Sequence, residues 1–421
     1  MPFRKVTVFT NLTPVGRCAV HSESVPPHSC CSAAQKNEHL QRTRPFDKSA
    51  FKRKQLSHLE QLLPLSVQQT ANSKQQTCCL HDNAGMSAQE FSSAHPYDTL
   101  TPDCVLDAVS STGLWPDGRM QPLGSYENRV YQVVLDDGNK VVAKFYRPQR
   151  WSTAQIVEEH VFSEDLLNAE VPVVAPLSLQ QKTLHRFEGF EFSISPWRGG
   201  RTPELDDWDT LEWIGRFLAR LHTIGSKSSF VHRPALNAQT MGHTPLQWLL
   251  EHADMPPHIQ SRCATVYQQA VEMAETALNN LDYQSIRLHG DCHPGNILWT
   301  PVNDDGEGGP HFVDMDDARM GPAIQDLWML LSGDRQQRSA QLSTLVEGYE
   351  QVRNFDRREL VLIEPLRTLR MLHYSAWLSQ RWSDPAFPRA FPWFGTECYW
   401  LEQIANMQQQ IEAMQEPALM I

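Results

Sequence analysis

Three side chains in this 421-residue chain have the types and order that phosphoryl transfer requires. "LHGDCHPGNILW", Leu288 to Trp299, carries Asp291 and, five residues on, Asn296; "FVDMDDA", Phe312 to Ala318, carries Asp314. A carboxylate can orient an attacking hydroxyl and accept its proton. An amide oxygen and a second carboxylate can hold a hard cation such as Mg²⁺ on nucleotide phosphates. Asp291 is therefore the candidate base, and Asn296 and Asp314 are the candidate metal ligands, with Asp314 also counted as catalytic. His289, Cys292 and His293 offer a competing zinc set, but three ligands crowd into five residues with no evident fourth. His289 is expected to brace the loop instead, and Cys292 to be a packed thiol.

Other elements must position this set. "VVAKFYR", Val141 to Arg147, reads as a strand, and alternation puts Val142 and Lys144 on one face. The stretch resembles the third-strand lysine motif of kinases, which implies that Lys144 reaches the α and β phosphates of the nucleotide. A glutamate on the next helix should pair with Lys144; of Glu158 and Glu159, Glu159 is preferred. "LGSYENRVY" has the single glycine Gly124 in place of a glycine-rich loop, and Ser125 is placed to touch the nucleotide. Of Asp316 and Asp317, either one is a group near the metal or both are solvated acids.

The wording resembles a known family. "HGDxHxGN" followed by "DxDD" is similar to the aminoglycoside phosphotransferase and choline kinase branch of the kinase-like fold. "SYENRVYQ", "KFYRPQRW", "HRP", "LHGDCHPGNILW", "DLWMLL" and "DPAFPRAFPW", in that order from about Thr99, resemble the bacterial stress response kinase A family. The resemblance implies an α+β, bilobal, protein-kinase-like fold: a small antiparallel sheet lobe and a large helical lobe around an ATP cleft. It implies ATP and Mg as cofactors, a protein substrate with a Ser/Thr hydroxyl, action in a stress response, and the cytoplasm. It also suggests that Asp326 braces the catalytic loop. The alternatives are a small-molecule kinase acting on an amino alcohol, sugar or aminoglycoside, and a nucleotide-binding pseudokinase. Intact Lys144, Asp291, Asn296 and Asp314 argue against the last.

Charge divides the chain. Residues 1–85 carry 11 Lys and Arg against 5 Asp and Glu, and the remaining 336 carry 26 against 44. An acidic body argues against nucleic acid or an anionic membrane as main partner, and a monomer is expected. Residues 1–85 lack a core pattern and read as a disordered or mis-annotated extension, with Met86 the favoured natural start. Their one helix-like stretch is Phe51 to Leu65, and Cys30-Cys31 and Cys78-Cys79 lack zinc-site spacing. The body's Cys104, Cys263, Cys292 and Cys398 read as reduced thiols.

Residues 86–195 are expected to form the ATP-binding lobe. Within it lie strands at 120–135, 140–146, 173–179 and 189–195, a turn at Asp136-Asp137-Gly138, and a helix over 152–168 capped by Ser152. "SPWRGG", Ser195 to Gly200, is the expected hinge, and residues 196–421 the hinge and helical lobe, with short strands at 297–299 and 311–313. The aromatic run from Tyr374 to Trp400 reads mainly as core, with a cage for a quaternary amine left open.

Overall fold

The computed structural model describes residues 95–301 and 308–421. The expectations for residues 1–85 lie outside the described residues. Helix α1 (Pro102–Ser111) begins where the Thr101 side chain accepts a hydrogen bond from the Cys104 amide. Proline at the first helical position loses no bond there. Cys104, Val105, Ala108 and Val109 form its buried face.

The sheet contains β1 (Pro116–Pro122), β2 (Arg129–Leu135), β3 (Lys140–Phe145), β4 (His185–Phe187) and β5 (Phe190–Pro196). Its order is β1-β2-β3-β5-β4, and every pairing is antiparallel. Val141, Ala143 and Phe145 of β3 point into the core beneath α1, so Lys144 must point the other way. Helix α2 (Thr153–Asn168) starts at Ser152 in a reciprocal capping box with Gln155. Two strand expectations need correction. The stretch 120–135 is not one strand, because Pro122 has no N–H and residues 123–128 loop out between β1 and β2. Residues 173–179 form only isolated bridges, Val173 to Phe312 and Leu179 to Lys182, since Pro172 and Pro176 remove ladder donors. The fifth strand is β4.

Beyond Pro196 helices dominate: α3 (Trp208–Gly225), α4 (Thr244–His252), α5 (Pro257–Asn279), α6 (Ile324–Trp328), α7 (Arg335–Glu350), α8 (Ile363–Gln380), α9 (Ala386–Ala390) and α10 (Glu397–Ala413). The hairpin of β7 (Ile297–Thr300) and β8 (Gly309–Phe312) forms where strands were expected. A second pair, β6 (Ile286–Leu288) with β9 (Arg319–Gly321), was not foreseen. All three residues of β6 are buried, so it shows no alternation to read. One core lies beneath these hairpins; another joins α4, α5, α8, α9 and α10 and takes up most of the aromatic run, with Trp400 fully buried. Among the described residues, no helix is long and apolar enough to cross a membrane.

Candidate active site

The loop from His289 to Asn296 runs between β6 and β7, and buried bonds fix it from behind. Asp326 of α6 is fully buried and accepts from the amides of His289 and Gly290, each at 2.9 Å, and from His222 Nε2 of α3 at 3.0 Å. Burial alone would raise its pKa, but these donors, the His222 bond foremost, hold it below the ordinary aspartate value. The bracing expected of Asp326 is thus present. His289 braces as well: its Nε2 donates to the Val313 carbonyl at 3.0 Å, which joins the loop to the residue before Asp314. Gly290 has φ +83°, and a Cβ there would lie 2.2 Å from the Asp317 carbonyl oxygen. Only glycine fits the second position of "HGD". Cys292 is fully buried, and burial pushes its thiol well above the ordinary cysteine value. His289 and Cys292 are therefore engaged in packing and bracing, which leaves the zinc alternative without its ligands.

The three candidate residues lie on this loop and on the segment paired with it, where the Val313 amide donates to the Asn296 carbonyl at 3.0 Å. Asn296 Nδ2 donates to the Asp291 carbonyl at 3.0 Å, so the amide's oxygen is the end left for a cation. Asp314 adopts a left-handed backbone, φ 61° and ψ 61°, which aspartate tolerates better than most residues. Lys144 Nζ lies 2.8 Å from Asp314 Oδ1 and 3.3 Å from Asp316 Oδ1. Burial would depress the Lys144 ammonium, but Asp314 and Asp316 outweigh it and hold its pKa well above the usual lysine value. Asp291 Oδ1 lies 2.5 Å from Arg370 Nη2 of α8, yet it is buried and receives no aligned hydrogen bond.

A family model described as "Phosphotransferase enzyme family" matches residues 119–361. Stress response kinase A of Escherichia coli O157:H7 is 46% identical over 329 residues, covering 78% of this chain and 98% of its own. Serine/threonine protein kinase RdoA of Salmonella typhimurium (strain LT2) is 45% identical over 328 residues, with the same coverage. This chain belongs to the stress response kinase A family. It is a phosphotransferase, a kinase, and a kinase draws its phosphoryl group from a nucleotide with the help of a divalent cation. Among solved structures, an amicoumacin kinase in complex with AMP-PNP, Ca²⁺ and Ami aligns at a TM-score of 0.57 with 18% identity, over 73% of this chain and 92% of its own. A microcompartment-associated aminopropanol kinase aligns at 0.57 with 16% identity, over 73% and 98%. These two establish that the bilobal kinase-like fold is shared.

One site expectation for this kinase is not met. Glu159 does not contact Lys144: its carboxylate accepts from Ser163 Oγ at 3.0 Å and lies 3.7 Å from His160 Nε2. Asp314 and Asp316 hold Lys144 instead. Glu158 turns the other way and accepts from the amides of Val231, His232 and Arg233. Asp316 and Asp317 are not solvated acids either. Asp316 pairs with Arg150 and accepts from Asn128 Nδ2 at 3.1 Å, and Asp317 takes two 3.0 Å bonds from Arg150 and one of 2.9 Å from Arg319. Burial would raise both carboxyls. Arg150 foremost outweighs it and holds both below the ordinary aspartate value.

Ser125 sits in the loop between β1 and β2, half-buried. The residues after it are tied to the far end of the chain. Glu127 accepts from Trp377 Nε1 and from Arg381 Nε at 3.0 Å, and pairs with Arg147 at 3.1 Å. Asp384 gathers Arg147 at 2.6 Å, Arg129 at 3.2 Å and His95 at 2.8 Å. Tyr126 lies against Phe387 and Phe391, with ring centroids 6.3 and 5.0 Å apart. The aromatic run therefore packs on itself and on this loop.

Behind the site, Glu359 is buried and accepts from the Ile324 amide at 2.9 Å, at the start of α6. Burial pushes its carboxyl up to about 7. Because the folded pKa exceeds the unfolded one, its contribution to stability is full below the unfolded value and is lost as pH rises through about 7. Melting curves between pH 5 and 8 should therefore fall more steeply for the wild type than for Glu359→Gln. The difference should be roughly 3 kcal/mol across the window; parallel curves would mean that Glu359 is charged throughout.

Proposed function

We propose that this kinase transfers the γ-phosphoryl group of ATP, taken as its magnesium complex, to a serine or threonine hydroxyl of a protein during a stress response. The observation that carries the reading is the Oδ1 atom of Asp291. It is a buried carboxylate oxygen without an aligned donor, on a loop fixed from behind by Asp326 and His289. A hydroxyl that displaces the Arg370 guanidinium, 2.5 Å away, can donate to that oxygen. The names of the relatives support a protein acceptor.

The acceptor hydroxyl donates to Asp291, and its oxygen attacks the γ phosphorus. An O–P bond forms while the bond from the γ phosphorus to the bridging oxygen breaks. The proton passes to Asp291 and then to solvent, and ADP departs. Lys144 exchanges Asp314 for the α and β phosphates, and the Ser125 hydroxyl lies along the loop that would cover them. Asp314 and the Asn296 amide oxygen are hard donors suited to Mg²⁺; two protein ligands leave room for phosphate oxygens and water, the usual arrangement for this ion. Bound there, magnesium would supply positive charge to the phosphates as negative charge develops.

Incubation with γ-labelled ATP, first with protein acceptors and then with a metabolite mixture, tests the reading. Label on serine or threonine of a protein supports it, and label on metabolites alone overturns it. Loop positioning has its own test. Asp384→Ala leaves Arg147 and Arg129 without their shared carboxylate, so stability should fall by about 3 kcal/mol. KM for ATP should rise more than kcat falls, because the loop between β1 and β2 loosens while Asp291 stays in place. An unchanged KM would detach Asp384 from the nucleotide site.

A further inference from the structure

We propose that Arg370 reads negative charge on the acceptor, so that this kinase selects a hydroxyl flanked by an anionic group, either an acidic residue or a phosphorylated one. The inference rests on the reading of Asp291 as the base. Among the described residues, the one ion pair of Arg370 is with Asp291, at 2.5 Å, and it falls on Oδ1, the oxygen without an aligned hydrogen bond. A hydroxyl that takes Oδ1 must displace the guanidinium. Both side chains are about one-fifth exposed, so the displaced charge stays in a sheltered cleft. A guanidinium moved off its carboxylate there needs another anion, and a carboxylate or phosphate can take it through two parallel bonds.

The surrounding carboxylates point the same way. An acceptor that carried an ammonium group would need a free acid, and the acids of this network already have cations, with Asp314 left to the metal once Lys144 moves to phosphate. Asp317 is held by Arg150 and Arg319, Asp316 by Arg150 and Lys144, and Glu127 by Arg147 and Arg381. Lys144 can leave for phosphate, but Asp316 keeps Arg150. The rings that could cage a quaternary amine are also committed: Trp377 stacks on Tyr374, meets Phe387 edge-on at 4.9 Å and donates its N–H to Glu127. The groups beside the base are Arg370, on Oδ1, and His293, 3.8 Å from Oδ2 and disfavoured as a cation by burial, which leaves Arg370 as the standing positive charge.

The test uses the full chain, γ-labelled ATP and a matched set of serine peptides. The residues flanking the serine are aspartate, phosphoserine, alanine or lysine, and the set is completed by a small hydroxy acid and a small amino alcohol. In the wild type kcat/KM should be at least roughly tenfold higher for the anionic peptides than for the alanine peptide, and lowest for the lysine peptide. The aspartate and phosphoserine arms distinguish the two sources of charge. Arg370→Gln should compress that range to about twofold, Arg370→Lys should keep part of it, and Arg370→Glu should favour the lysine peptide. A wild-type preference for neutral or basic flanks, or a preference for anions that survives in Arg370→Gln, would overturn the proposal. Label on the hydroxy acid but on no peptide would end the protein-acceptor reading while keeping the role of Arg370; label on the amino alcohol in its place would end both.

Discussion

Asp291→Asn should cut turnover by roughly 10²–10⁴-fold, the usual worth of general-base help and hydroxyl orientation. Affinity for ATP and Mg²⁺ should hold within a few-fold. The amide keeps the size of the carboxylate. The loop stays in place because its anchors are main-chain bonds to Asp326 and the His289 bond to Val313. The Asn296 contact is also to the Asp291 carbonyl and survives. What disappears is the proton acceptor and the charge that pairs with Arg370. Calorimetry of ATP–Mg²⁺ binding beside a turnover assay separates the roles. Binding lost together with turnover would make Asp291 a metal ligand or structural residue. Turnover retained would move the base elsewhere, with Asp316 the first place to look.

Asp314→Ala should abolish measurable turnover, a loss of at least roughly 10³-fold. It removes a hard oxygen donor for the cation and the closest partner of Lys144 at once. Lys144 should then settle on Asp316, already 3.3 Å away, so the fold should survive. Asn296→Ala is the contrast: it removes a neutral donor and should mainly raise the Mg²⁺ concentration needed for half-maximal rate. Titrating Mg²⁺ at fixed ATP for both variants reads the difference. Normal turnover in Asp314→Ala would show that the metal assignment is wrong.

The site was most legible where chemistry depends on local geometry. Asp291 and Asn296 share one loop, and the antiparallel pairing of β7 with β8 brings the segment before Asp314 back to Asn296, so spacing groups the three. The Ser152 cap of α2 and the paired strands β7 and β8 were legible for the same reason. Of the adjacent Glu158 and Glu159 it is Glu159 whose charge reaches Lys144, yet Ser163 and His160 occupy its carboxylate and Asp314 and Asp316 hold the lysine, and no local pattern reports those partners. Arg150, Asn128 and Asp384 carried no local signal of function, since their partners lie 166 to 255 residues away. They do fall within the strings "SYENRVYQ", "KFYRPQRW" and "DPAFPRAFPW". Those strings carried the family resemblance and meet in space around one network of charges.

That meeting bears on how the protein is made. Tyr126 and Glu127 are held by Trp377, Arg381 and Phe391, and Arg129 and Arg147 by Asp384. A ribosome releases the sheet long before it releases those partners, and domains tend to fold as they emerge. The early-emerging strands can pair, and Tyr97 and Arg147 already donate to the Glu127 carbonyl, but the Tyr126 ring and the Glu127 carboxylate gain Phe391, Trp377 and Arg381 only when the end of the chain is out. A nascent chain should therefore fix the side chains of this loop only when synthesis is nearly over.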